Sequence, residues 1–551
     1  MVAEGEASEQ LNAKMRGMEL KQIEQDTVFQ AGAFKIRYVN LVGVPINPDI
    51  LGVISRADAW KYKIIAYAKT GTTLRVAAIA PDDARIKKFF QKISNTYGVD
   101  SEVALMSLYS FEQAFKLYEQ IPRMVRRQGT VEISGEDLLR FQREIKSLKH
   151  LPEMIHNVSL TDVFTAILAT AIKTNASDIH VEPEESRVLV RFRIDGVLQD
   201  AVTFEREIWK KLAPRIKLLA HLKINVENVP QDGRFSIFIQ KEKLDVRVAV
   251  LPIAHGESVV LRLLYAKSIG IPFEALGIRG QALTDLMREI YRPNGMILTT
   301  GPTGSGKTTT LYSMVHRLNS GTIKIVTLED PIEYKIEGIN QSQVSEKSGY
   351  GFAVGLKSIL RQDPDMVLVG EIRDFETAET AVNASLTGHL VISTLHTNDA
   401  SGAIPRLLAL GVKNFLLAPA LNTVIGQRLV RVLCEHCKKP AELSEEARAR
   451  VEKIVREIPE ESKQSVPAHL LFYESMGCKE CYDTGYKGRI GIFEVLVINE
   501  DVEKFIVEQR VSEYQMKEIA KKYGMVTMIQ DGILKAIDGI TSVAEIFRVT
   551  Q

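Results

Sequence analysis

Gly301-Pro302-Thr303-Gly304-Ser305-Gly306-Lys307-Thr308 is the stretch on which the reading of this chain turns. It satisfies the full phosphate-loop pattern G-x-x-x-x-G-K-[ST]. The apolar run Met296-Ile297-Leu298-Thr299-Thr300 precedes it and reads as a buried strand, and Thr309-Thr310-Leu311-Tyr312-Ser313-Met314-Val315 follows and reads as a helix. Strand, glycine-rich turn and helix are the setting this chemistry requires. The glycines let backbone N–H groups turn inward around an anion, and the start of the helix adds its positive end. Lys307 is placed to neutralise β- and γ-phosphates and Thr308 to hold Mg²⁺, so Gly301 through Thr309 is the candidate ATP-binding stretch.

Two acidic strand ends follow downstream. Ile323 to Leu328 is apolar and runs into Glu329-Asp330-Pro331-Ile332-Glu333, with proline stopping the strand. At the carboxyl edge of a parallel sheet these carboxylates face the phosphate loop, where one can polarise an attacking water or hold Mg²⁺ through water. Met366-Val367-Leu368-Val369 leads in the same way to Gly370-Glu371-Ile372-Arg373-Asp374. Leu390 to Leu395 is a further buried strand, bracketed by His389 and His396. Histidines beside a nucleotide site can sense the γ-phosphate; a structural role is the alternative. Strands alternating with helices from Glu274 to Arg431 imply a parallel sheet covered on both faces.

All four cysteines lie between Cys434 and Cys481, as the pairs Cys434-x2-Cys437 and Cys478-x2-Cys481. Two such pairs complete a closed four-sulfur site, for which Zn²⁺ is the expected metal and a redox pair the alternative. A closed site has no open position, so its role is structural. The charged segment 441–468 between the pairs reads as helical.

Length and composition bound the rest. A chain of 551 residues implies several domains. With 70 basic and 69 acidic residues the net charge is +1, which argues against a nucleic-acid partner. Neither a signal peptide nor a membrane span is visible; the most apolar window, Leu407 to Ile425, is broken by Gly411, Lys413, Asn414, Pro419 and Asn422. The chain divides in order into a flexible tail (1–28), an α/β domain (29–118) and a charged linker (119–157). A half-buried sheet domain (158–273) follows, then the phosphate-loop domain (274–431), a metal-binding subdomain (432–484) and a helical C-terminal segment (485–551). In the sheet domain Val188, Val190, Phe192 and Ile194 alternate with Arg187, Leu189, Arg191 and Arg193 before the hairpin signal Asp195-Gly196, and two later strands carry Arg247 and Arg262.

Together these motifs resemble the type II secretion and type IV pilus assembly ATPases, a branch of the P-loop secretion motors, from about residue 35 onward. The resemblance rests on 301–308, the acidic box Leu328–Glu333, the second acidic motif Met366–Asp374, the histidine box Thr387–His396 and the four cysteines. It implies a multidomain α/β fold: a RecA-like ATPase core preceded by a PAS-like α/β domain, with a tetracysteine subdomain and a helical C-terminus. It implies a cytoplasmic homohexamer, associated peripherally with the inner membrane through a platform protein, that hydrolyses ATP at the junction of its two core domains. Arg247 and Arg262 match the arginines that reach the γ-phosphate. Glu333, with Glu329 next, matches the water-activating carboxylate, and Glu371 the support for Mg²⁺. Arg361, Arg373 and Arg406 resemble arginines that link site to subunit interface, while Lys357 stands where an arginine is commoner. Some relatives bind cyclic di-GMP in the N-terminal domain through an R-L-G motif followed by spaced leucines. That motif is absent here, so cyclic di-GMP is not implied. A DNA-translocating hexameric ATPase on the same core is the alternative, disfavoured by the charge balance and the cysteine insertion.

Overall fold

The computed structural model describes the chain from residue 20 to residue 550, except 34–35, 45, 47, 52, 55, 71–72, 84, 87–88, 91–99, 121–150, 153–159, 240–241, 266–270, 346–347, 463, 465 and 509–510. Most of the 119–157 linker therefore lies outside the described residues. The expected flexible tail gives way at residue 20 to a helix over 20–33. Glu24 anchors it, accepting hydrogen bonds from Ser107 Oγ at 2.6 Å and from the Tyr38 hydroxyl. The chain forms two compact units, one ending at Leu264 and the other beginning at Tyr265.

The first unit holds two sheets. In the smaller, β1 (Arg37–Tyr38), β2 (Ile64–Thr70), β3 (Thr73–Ala78) and β4 (Asp100–Leu105) lie in the order β1-β4-β3-β2, with β2 and β3 antiparallel. β1 is shorter than the 35–41 alternation suggests. The larger sheet is antiparallel throughout: β5 (Asp178–Pro183), β6 (Arg187–Ile194), β7 (Val197–Glu205), β8 (Gln231–Ile239), β9 (Glu242–Ile253) and β10 (Gly256–Leu264), in the order β7-β6-β5-β10-β9-β8. Asp195 and Gly196 both take positive φ, +48° and +86°, as the tight β6–β7 turn demands. Val188, Val190 and Phe192 are buried, while Arg191 and Arg193 point to the other face. With the helices Leu160–Lys173 and Arg206–Leu219 this is the PAS-like layout.

The second unit is built on seven strands: β11 (Gly295–Thr300), β12 (Ile325–Glu329), β13 (Asn340–Gln343), β14 (Met366–Val369), β15 (Leu390–Leu395), β16 (Leu421–Leu433) and β19 (Tyr486–Val497). Their order is β13-β12-β14-β15-β11-β16-β19. All neighbours are parallel except the last pair. Every residue of β11, β12, β14 and β15 is buried, because apolar clusters cover both faces. Leu298, Leu328, Val367 and Val391 face one cluster, and Ile297, Ile325, Leu368 and Ile392 the other. This is the RecA-like core. The hairpin β17 (Lys438–Ala441) and β18 (Phe472–Ser475) stands apart beside the cysteines.

The segment 485–551 is helical only from Glu500 onward. It opens with β19, which pairs along β16 from Thr423 to Leu433 and closes the edge of the core sheet. The helices of this unit include α1 (Lys307–Leu318), α2 (Met528–Ile537) and α3 (Val543–Thr550).

Candidate nucleotide and metal sites

The phosphate loop joins the end of β11 to the start of α1 at the carboxyl edge of the parallel strands. Gly301, Gly304 and Gly306 take φ of +144°, +80° and +90°. At Gly301 the conformation is enforced from outside as well: a Cβ there would lie 2.5 Å from the Gln427 carbonyl and 2.7 Å from Ser305 Oγ. Gln427, on β16, donates from Nε2 to the Ser305 carbonyl at 2.7 Å, so the neighbouring strand braces the loop from beneath. The Ser305 hydroxyl is buried and has no hydrogen-bond partner among the described residues. A loop of inward-turning amides with an orphaned hydroxyl fits an anion's oxygens. Lys307 Nζ folds back onto the carbonyls of Gly301 and Pro302, at 2.7 and 3.0 Å. Burial pulls its pKa down, and the nearby Glu371 carboxylate opposes that.

Above the loop lies a cleft of about 470 Å³. Its floor is Thr303, Gly304, Gly306, Lys307, Thr308 and Thr309, and its acidic wall is Glu329, Asp330, Glu333 and Glu371. His396 and Arg373 close one side, and Leu429 and Arg489 another. The carboxylates predicted from two separate strand ends thus meet over one loop, because β12 and β14 are neighbours. Their surroundings differ. Glu329 is buried, with one oxygen accepting from Thr327 Oγ1 at 2.5 Å and Gln341 Nε2 at 3.2 Å and the other from the Tyr312 hydroxyl. Glu371 is held by Arg373 Nη2 at 2.5 Å and lies 3.2 Å from His396 Nε2. His389 turns away, its Nδ1 3.0 Å from the Ala384 carbonyl. Lys357 pairs with Glu376 at 2.5 Å, and Arg361 bonds to Lys357 and Ser358 on its own turn.

Arg247 and Arg262 belong to the first unit. They face each other in register on β9 and β10; Arg234 on β8 continues the row on one side and Asp178 on β5 on the other. Asp178 Oδ1 takes the Arg262 Nε–H at 3.0 Å.

Two residues of the cleft, Tyr312 and Arg489, and one that braces its loop, Gln427, escape the sequence motifs. Tyr312, one helical turn beyond Thr308, is a buried aromatic that periodicity assigns to the core. The pairing of β16 with β11 brings Gln427 under the loop and that of β19 with β16 brings in Arg489, and the chain offers no local marker for either.

The four cysteine sulfurs all lie within 4.8 Å of one another. Cys434–Cys478 and Cys437–Cys481 are 3.8 Å apart and Cys478–Cys481 is 3.7 Å. A tetrahedral site with metal–sulfur bonds near 2.3 Å has edges of about 3.8 Å, so the set is compatible with a bound metal. Burial pushes the Cys481 thiol pKa up, and the backbone N–H groups of Cys478 and Gly485, 3.1 and 3.3 Å from its Sγ, oppose that.

Fold and cleft together define a P-loop ATPase. Residues 155–548 match the family described as Type II/IV secretion system protein, and residues 34–124 match the MshEN domain. The chain belongs to the type II/IV secretion system protein family and is one of its ATPases. It is 37% identical over 523 residues to the type IV pilus assembly ATPase PilB of Myxococcus xanthus, covering 94% of this chain and 90% of that protein. It is 40% identical over 511 residues to the type II secretion system protein E of Dickeya dadantii, covering 92% and 99%. Among solved structures, the ATPase DotB of Yersinia pseudotuberculosis covers 70% of this chain and 93% of its own, with a TM-score of 0.52 at 19% identity, a likeness of fold. Among the described residues no helix is long and apolar enough to cross a membrane.

Proposed function

We propose that this chain is the motor of a pilus or secretion machine: a cytoplasmic homohexamer, held at the inner membrane by a platform protein, that hydrolyses ATP to drive type IV pilus assembly or type II protein secretion. The convergence of phosphate loop, acidic turn, Glu371 and His396 on one cleft is the observation that supports it. The names of the relatives supply the two destinations.

The residues take these roles. The amides of Gly301 to Thr309 cradle the phosphates, and Lys307 exchanges two backbone carbonyls for phosphate oxygens. Thr308 holds Mg²⁺ with support from Glu371; hydroxyl and carboxylate oxygens are the hard donors that ion takes. The ion would neutralise charge on the β- and γ-phosphates. Both oxygens of Glu329 are engaged by protein donors, which leaves Glu333 to activate the attacking water. His396 reads the γ-phosphate, being tied to Glu371. Arg247 and Arg262 stabilise the transferring phosphoryl group, a contribution of roughly 10³–10⁵ in rate for arginines of this kind. Zn²⁺ sits in the tetracysteine cluster as a structural ion. The domains follow the boundaries read from sequence, with β19 assigned to the ATPase core.

Two experiments test this. Lys307→Ala is expected to abolish ATP turnover in the full-length protein; full turnover would refute the assignment. Affinity capture from the native cell separates the destinations, pilins marking pilus assembly and an outer-membrane channel marking secretion. Hydrolysis stimulated by DNA in a salt-sensitive manner would refute both.

A further inference from the structure

We infer that Tyr312 is a positioning residue for hydrolysis: it clamps the acidic turn Glu329–Glu333 to the phosphate-loop helix. This rests on the proposal that the turn supplies the water-activating carboxylate. Tyr312 follows Thr308 by four positions on α1, so the two share a helix face, and both line the cleft. Its ring is buried, packed edge-on against Tyr334 with centroids 4.5 Å apart. A buried tyrosine must find partners for its hydroxyl. Here the hydroxyl donates to Glu329, at the start of the turn. Burial, then the bond to the Glu329 carboxylate and its charge, push the phenol's pKa up, so it stays a donor at physiological pH.

The hydroxyl therefore ties the start of the turn that carries the proposed base to the phosphate-loop helix. The other oxygen of Glu329 is fixed from the sheet side by Thr327 and Gln341. Glu329 thus acts as a bracket between sheet and helix rather than as a base. Tyr312 carries that bracket onto the helix that begins at Lys307. Binding of phosphate at the loop and placement of the water-activating group are mechanically one event, because a single helix supports both.

Tyr312→Phe keeps the ring and its packing and removes only the hydroxyl. A displacement near 1 Å of a catalytic group can cost about 10²-fold in rate. In the full-length protein the expected result is a fall in kcat of about tenfold or more, with KM and the affinity for a non-hydrolysable ATP analogue within about twofold of the parent. Hydrogen exchange should rise in the peptide covering 329–334 and stay unchanged along α1 and β11. Glu333→Gln, measured alongside, separates the two layers of reasoning. If Glu333→Gln is inactive and Tyr312→Phe retains its kcat within twofold, the clamp is refuted and the base assignment stands. If Glu333→Gln retains full turnover, the base assignment falls and the clamp's purpose with it. Loss of exchange protection throughout the unit, or failure of Tyr312→Phe to fold, also refutes the clamp, since it would make the hydroxyl a general stabiliser of the core.

Discussion

Replacing Glu545 by glutamine removes a charge from the contact that fastens the last helix to the core sheet. The Glu545 side chain is 1% exposed at the start of α3. It accepts from Arg548 Nη2 and Nε at 2.6 and 2.8 Å, and from Arg431 Nη2 and the Arg431 backbone N–H at 2.8 and 3.1 Å. Burial alone would push the carboxyl up, but hydrogen bonds from Arg548 and Arg431 and the latter's charge outweigh it and bring the pKa from 4.5 down to about 2. At 1.36 kcal/mol per decade that is about 3 kcal/mol. Arg548 is half exposed and solvent screens its share, so about 2–3 kcal/mol is expected at pH 7. A depressed carboxylate pKa contributes stability that is full above 4.5 and is lost as pH falls toward 2. The assay is hydrogen exchange in the peptide 543–550. Glu545→Gln should lower its protection roughly 30- to 150-fold at pH 7, with less than about half of that free-energy gap remaining at pH 3. Equal protection at pH 7, or a gap that does not shrink on acidification, would refute the reasoning.

Other consequences follow from the site. Gly301→Ala forces a Cβ to within 2.5 Å of the Gln427 carbonyl at a φ that L-residues avoid; ATP turnover should fall more than about tenfold, and normal steady-state kinetics would contradict the bracing of the loop. Arg489→Ala, which removes a cation from the cleft wall, should raise KM for ATP several-fold with kcat changed less than about twofold. A matched fall in kcat would place Arg489 at the reacting phosphate instead. Stripping the metal with a chelator, or Cys437→Ser, should expose the segment 434–481 to protease at its Lys and Arg residues. Metal binding contributes on the order of 10 kcal/mol in such sites, so unaltered digestion would argue against a structural ion.

What the sequence makes legible is what is contiguous. The phosphate loop carries its strand, turn and helix within twenty residues, and each Cys-x2-Cys pair is complete in one turn, so local chemistry alone announces both. The carboxylates were half legible. The family resemblance ranks Glu333 ahead of Glu329 as the base, and the donors around Glu329, which no motif announces, support the proposal that it is a bracket. Arg489 and Gln427 could not be found that way, because nothing in their segments states that β19 will pair with β16, some sixty residues away, or that β16 will lie beside β11. β19 itself escapes notice because six of its residues, Gly491 to Leu496, are all buried, and a strand covered on both faces lacks the alternation that marks a half-exposed one. The reverse happens at β1, where alternation over 35–41 condenses into two paired residues. Tyr312 has the signature of core and lies in core; that its hydroxyl also belongs to the cleft depends on the fold of the acidic turn.

β16 runs thirteen residues without leaving the sheet, and its geometry limits how this protein can change over evolutionary time. Gln427 under the phosphate loop and Cys434 just past the strand's end are separated by seven residues of extended chain, roughly 23 Å. A single deletion or insertion between them would turn every intervening side chain to the opposite face. The loop brace and the first cysteine could then no longer both keep their places. The stretch from Glu442 to Leu471 carries no such register, since it lies between the paired strands β17 and β18. Related chains should therefore vary most in length between Ala441 and Phe472 while keeping the Gln427–Cys434 interval fixed, residue for residue.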